Sequence, residues 1–289
     1  MKFKMKGLPY LLLSLALSGS VLASVPVKKH HGHHGYKGEG LYKGEVFAPE
    51  QPRNHFEIIG APGIARLSAG NSELGVTSSE TDRLVQTNSN AWNTLAGQLG
   101  FGYVYYFGHA QKYSDCVQWF PSIEPELNVY YLSSNSIKGD VWRFDNSAFN
   151  DLTFDIPLRS TRLMLDAALT VASWKQISIY AIGGIGNAWN RIGYSDKDND
   201  NGDVTDTCPE QRLSLNNRSQ SKFVWEAGAG ATYAFNDRFG LSLEWLYTNL
   251  GNVRTSGSGD TATITAPVIV PAHFNLKSQT LLLGLHIAV

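Results

Sequence analysis

From about residue 56 to its last residue the chain repeats one pattern, apolar at every second position, which is the period of a β-strand. The clearest run is 177–190, where Ile177, Ile179, Ala181, Gly183 and Ile185 share one face and Ser178, Tyr180, Gly184 and Gly186 the other. Residues 93–107, 117–131, 158–172, 221–235, 239–249 and 277–289 behave alike. An eighth run, 56–70, sets Ile59, Ala61, Ala65 and Leu67 against Arg66 and Ser68, with Pro62 marking a bend or an edge. The intervals alternate between long (71–91, 133–157, 193–220, 250–276) and short (108–116, 173–176, 236–238). Long loops at one end and tight turns at the other, over an even strand count, predict an all-β fold: an eight-stranded antiparallel up-and-down transmembrane β-barrel.

Alternation alone does not say which face points inward. The polar face mixes glycines with Arg66, Glu124, Glu126, Arg162, Asp166, Lys222, Glu226, Glu244 and His286, while the apolar face is continuous and carries Tyr105, Trp119, Tyr131, Trp189, Tyr233 and Tyr247 near strand ends. Aromatic belts at bilayer interfaces account for that placement, so the apolar face is expected against lipid and the charges inside. An eight-stranded barrel is only wide enough for side chains, and the charges are expected to pair into a structural plug. No apolar run after the first residues reaches the roughly 20 needed for a membrane helix.

The N-terminus reads as a secretory signal over 1–23. Lys2, Lys4 and Lys6 form its basic part, Leu8–Leu17 its apolar part, and Val21-Leu22-Ala23 its cleavage site. Removing it leaves a net charge of −4, which gives no reason to expect nucleic acid. Residues 24–55 read as a periplasmic linker, with Lys28-Lys29-His30-His31-Gly32-His33-His34 followed by Tyr36-Lys37-Gly38-Glu39 and its repeat Tyr42-Lys43-Gly44-Glu45. Such a stretch has too little apolar surface to offset its ordering entropy. The membrane barrel is expected over 56–289.

The stretch from Trp225 to Gly251, WEAGAGATYAFNDRFGLSLEWLYTNLG, resembles the penultimate hairpin of the outer-membrane protein A-like and opacity-protein family of eight-stranded barrels. The resemblance extends over residues 56–289 through strand count and loop asymmetry. It implies a bacterial outer-membrane protein whose outer loops meet host or extracellular molecules, and it implies no reaction. Expected partners are outer-membrane lipids, lipopolysaccharide and the barrel-assembly machinery. The last strand ends Leu285-His286-Ile287-Ala288-Val289, where such barrels carry a terminal aromatic residue, and wall anchoring is not expected.

No set of residues spells out a catalytic or cofactor site. His30, His31, His33 and His34 could hold a transition metal, since imidazole suits zinc, copper and nickel, but as a soluble linker they need no ligand. Asp196, Asp198, Asp200 and Gly202 approach a calcium loop but put Asn201 where Gly is wanted and Thr207 where Glu is wanted. His286 has no nearby serine on its own strand and reads as a structural interior histidine. Asn217-Arg218-Ser219 is a sequon without meaning in a bacterial envelope. Cys116 and Cys208 fall at opposite ends of the expected barrel, too far apart for a disulfide. Trp142, Phe144 and Phe149, in the second long loop, are candidates for partner contact or for capping the barrel mouth. The function expected is a non-enzymatic surface barrel acting in adhesion, surface exposure or envelope integrity. The alternatives are a small-solute channel, a lipid-modifying enzyme and a soluble binding barrel.

Overall fold

The computed structural model describes residues 52–88, 91–150, 152–198, 213–261 and 267–289. The expected signal, the linker with its four histidines, the calcium-like run beyond Asp198, and Cys208 lie outside the described residues. Cys116 is exposed in the first turn.

Eight long strands form the wall: β1 (His55–Ser68), β2 (Thr94–Tyr106), β3 (Ser122–Trp142), β4 (Leu152–Trp174), β5 (Ile177–Asp198), β6 (Ser214–Ala234), β7 (Phe239–Arg254) and β8 (His273–Ala288). Each pairs antiparallel with the next, and β8 pairs back onto β1 through Ile59↔His286 and Ala65↔Thr280. The ring is closed, so no strand edge is left to hydrocarbon. Residues 107–121, 175–176 and 235–238 connect the strands at one end, here the turn end. Residues 69–93, 143–151, 199–213 and 255–272 connect them at the other, the loop end.

The outward face of the half nearer the turns is covered by exposed Leu95, Leu99, Phe101, Leu127, Leu165, Ile179, Ile185, Phe223, Leu243 and Leu283. A water-soluble barrel would not present an apolar band that runs around its whole girth. Tyr105, Trp119, Trp174 and Tyr233 edge the band near the turns, and Tyr131, Trp189 and Tyr247 edge it on the far side. From Ile177 to Trp189 on β5, about 12 residues at ~3.3 Å each and a tilt near 40° give roughly 30 Å of height, the thickness of bilayer hydrocarbon.

The strands do not stop at the far belt. Residues 133–142, 152–157, 193–198 and 214–220, expected as loop, continue as strand and pair in register, for example Val141↔Leu152 and Ile192↔Arg218. Above the end of β1, a ribbon of Ser72–Gly75 and Thr81–Gln86 carries on the wall: Leu84 pairs with Val141, and Gly75 bridges to Val270. In this upper half the polarity is reversed. Leu132, Ile137, Val141, Phe154, Ile156, Leu158, Ile192, Leu215, Val253, Phe274 and Leu276 point inward and are buried with Leu74 and Leu84 of the ribbon. Lys138, Arg159, Arg191, Asn216, Arg254 and Asn275 point outward and are exposed. The lower half is built for lipid and the upper half for water. Register shifts at Leu132/Asn135 on β3 and Asn249/Gly251 on β7 sit at the boundary, and each moves the inward positions from even to odd numbers, as bulges do.

Candidate functional site

The lower lumen is assembled from inward positions of all eight strands. Its bulky polar side chains lie over glycines of the neighbouring strand: Asn128 over Gly100, Glu124 over Gly102, Asp166 over Gly184 and Tyr180 over Gly230. A Cβ at any of these glycines would overlap the polar group, which is why the inward face mixes glycine with charge.

A belt of hydrogen bonds links the strands. Asn128 donates from Nδ2 to Glu126 Oε2 and Asp166 Oδ2, both at 2.7 Å, and accepts at Oδ1 from Gln98 at 3.0 Å. Tyr130 donates to Asp166 at 3.2 Å, Tyr180 to Glu244 at 2.7 Å and Thr248 to Glu226 at 3.0 Å. Arg162, 1% exposed, is the one arginine in the belt. Its Nη2 lies 3.2 Å from Glu226 Oε2 without a well-aligned hydrogen bond, and its guanidinium stacks 4.3 Å from the Tyr130 ring. Six carboxylates, from Glu57, Glu124, Glu126, Asp166, Glu226 and Glu244, share this space with Arg162, His55 and His286.

Below the belt a cavity of about 930 Å³ opens at the turn end, lined among others by His55, Glu57, Tyr106, Glu124, Glu126, Tyr180 and His286. His286 faces Glu57 Oε2 through Nδ1 and Ser242 Oγ through Nε2, both at 2.9 Å. This is the connectivity of a Ser-His-carboxylate triad. Its surroundings are not those of a working nucleophile. Ser242 is 1% exposed, does not line the cavity, and rests against Gly284, so a substrate carbonyl has no approach to Oγ. The serine partner that His286 lacks on its own strand comes from β7, where Gly284 pairs with Ser242.

The loop end holds a second group. Glu80 and Asp82, both nearly enclosed, flank Arg143: Arg143 Nε reaches Glu80 Oε1 at 3.2 Å, and the Phe144 N–H donates to Asp82 Oδ1 at 3.2 Å. Burial, followed by the neighbouring Glu80, pushes the Asp82 carboxyl up to about 7. Above it Phe144 and Phe149 are exposed and meet edge to face at 6.2 Å. Phe144 and Asp145 take left-handed backbone conformations, with φ near 54° and 55°, which is strained for non-glycine residues.

Of the charges expected in the lumen, the structure brings Glu124, Glu126, Arg162, Asp166, Glu226, Glu244 and His286 together. Lys222 is half-buried on the inward side of β6, four residues further up than Glu226. Arg66 is a correction: it points outward near the loop end of β1 and stacks on Trp92 at 5.7 Å. At that height the outer surface meets water, so the polar residue belongs outside and Ala65 and Leu67 inside. Trp142, Phe144 and Phe149 are not the barrel cap, because the apolar cluster with Leu74 and Leu84 fills the mouth beneath them. Trp142 instead carries Arg83 at 5.9 Å. Glu57 was missed for the same reason as Arg66, although Phe56 and Ile58 on either side of it mark it as inward.

The description "outer membrane protein beta-barrel domain" fits residues 59–268. No match is found among curated proteins. Solved structures with a similar course of chain include neisserial surface protein A, at 12% identity over 81% of this chain and 97% of that one with a TM-score of 0.36. The attachment invasion locus protein of Yersinia pestis has 12% identity over 81% and 99% with a TM-score of 0.34. The outer membrane protease of Escherichia coli has 9% identity over 85% and 99% with a TM-score of 0.42. These likenesses are too distant to add to the family match.

Proposed function

We propose that this chain, which belongs to the outer membrane protein beta-barrel domain family and is a protein of the bacterial outer membrane, is a closed, non-catalytic display barrel. Its turn end faces the periplasm, and its upper half holds a contact surface outside the cell. The observation that carries this is the reversal of polarity along a single wall. A protein that only spanned the bilayer would need about 9–11 residues per strand, whereas β3 to β6 run for 21 to 23 residues, the excess folded as a water-facing body. At its tip stand Phe144 and Phe149, exposed and held by the Asp82 and Arg143 contacts. The partner would be an extracellular or host surface molecule with an apolar feature to receive them, as exposed aromatic pairs do at interfaces. Lipopolysaccharide and outer-membrane lipid would surround the wall, and the barrel-assembly machinery would insert it.

The test is binding of cells or purified matrix components by bacteria displaying the protein. A Phe144→Ser/Phe149→Ser variant, inserted at the same level, is expected to lose that binding. Retained binding would remove the tip from the proposal. The channel alternative has a separate readout. The upper lumen is packed with buried Phe154, Ile156, Leu158, Ile192 and Phe274, so planar bilayers with the purified protein should show no steady open state. A steady conductance would overturn the closed barrel.

A further inference from the structure

Glu57 on β1, Glu124 on β3 and His286 on β8 each bring one ligand atom to within 4.8 Å of the other two. Closure of the barrel makes this meeting, since β1 and β8 are the first and last strands. All three line the cavity at the turn end, so an ion could enter without disturbing the belt.

Two further observations favour a cation there. Glu124 Oε1 is enclosed and has no hydrogen-bond partner. Glu244, only 4% exposed, likewise leaves Oε2 without a partner and lies in electrostatic reach of both His286 and Glu124. An ionised carboxylate can only accept, so each such oxygen has a lone pair free for a donor or a positive ion. The lower lumen repeats the imbalance, with six carboxylates against Arg162, two histidines and, further up, Lys222.

The geometry points to a binding site for a divalent first-row transition-metal ion of the zinc and cobalt type, held by Glu57, Glu124 and His286, with its remaining positions open to the cavity. The donor chemistry sets the class. One imidazole nitrogen with two carboxylates suits zinc, cobalt, nickel or manganese, whereas calcium and magnesium favour oxygen alone and copper(I) favours sulfur. The surrounding contacts fit as well. His286 would bind through Nδ1, the atom now facing Glu57, while Nε2 keeps its hydrogen bond to Ser242 and fixes the ring, as outer partners of metal-bound histidines do. Glu57 keeps His55 on its other oxygen at 3.0 Å. The ion takes the place of the proton shared between His286 and Glu57, so its binding releases protons. This site stands independently of the outer contact surface.

The test uses the full chain refolded in detergent micelles, with His30, His31, His33 and His34 changed to Ala and Cys116 and Cys208 to Ser, which removes the other strong ligands for these ions. Titration with ZnCl2 and CoCl2 is expected to give one ion per chain. Calorimetry in two buffers of different ionisation enthalpy should show proton release. Glu124→Gln, at a residue outside the hydrogen-bond belt, and His286→Gln should each weaken binding at least about tenfold while still migrating heat-modifiably as folded barrels. Binding well below one ion per chain, or full affinity retained by either variant, would overturn the site.

Discussion

The lower and upper halves of this barrel share strands, hydrogen bonds and curvature, yet they obey opposite rules. In the lower half Leu165 faces out and Asp166 faces in. In the upper half, on the same strand, Phe154 faces in and Asp155 is turned toward solvent. A β-sheet fixes only that neighbours alternate. The medium outside decides which set must be apolar, and here the medium changes part-way along each strand. The interior follows by complement: below, a polar belt that must satisfy itself, and above, an ordinary hydrophobic core.

Each half can be broken by its own kind of substitution. Arg162→Met leaves Glu226 buried and unpaired, and an expected loss of about 3–5 kcal/mol should lower the urea midpoint of the whole barrel. Adding Glu226→Gln should restore most of it, and no restoration would mean the two side chains act separately. Phe154→Ala removes a buried ring from the upper core at a similar ~3–5 kcal/mol. Its effect should be local: proteases gain access to the upper half while heat-modifiable migration of the membrane part persists. Global loss of the folded form would show that the halves do not unfold apart.

Outward substitutions compare the two media directly. Leu165→Arg should cost about 2–4 kcal/mol in a bilayer, whereas Asn275→Arg on the upper wall should fall within about 0.5 kcal/mol of the parent. Equal costs would place the membrane boundary elsewhere. Acidity should act on the upper half through Asp82. With its carboxyl raised from 3.8 to about 7, Asp82 holds a proton in the folded cap over a range where the unfolded chain has lost it. Stability of the cap should therefore fall as pH rises from about 4 to 7 and level off above, by roughly 4 kcal/mol. Asp82→Asn should flatten the slope, as read by protease resistance of the cap, and an unchanged slope would assign it to another group. In the lower half a small effect is expected at Ser242→Ala, about 1 kcal/mol for a lost hydrogen bond. Neither this variant nor the parent should react with a fluorophosphonate probe, and labelling of Ser242 would make the His286 triad a working one.

The lower half was legible in the sequence because its signal is long and in constant phase. Ile177–Ile185 and Phe223–Phe235 give both the strands and the face that meets lipid. The upper half was hidden by two effects. Segments such as Ser133–Trp142 are short, polar on the outside and shifted in phase by a bulge, so they look like loop. A single apolar face was also followed along all of β1, although His55 and Glu57 face in below while Arg66 and Ser68 face out above. That one assumption misplaced Arg66 and concealed Glu57. Partners across strands, such as Ser242 for His286, depend on register, which alternation does not specify.

The upper wall also acts as a spacer. About ten residues of each strand from β3 to β5 rise beyond the outer aromatic belt, roughly 25 Å in height at the usual rise and tilt. Because that stretch is hydrogen-bonded sheet around a solid core, its length does not vary as a loop's would. Phe144 and Phe149 are therefore carried at a set distance from the bilayer, as a probe on a rigid stalk would be. Under the proposed function, a partner must come to that height to meet them.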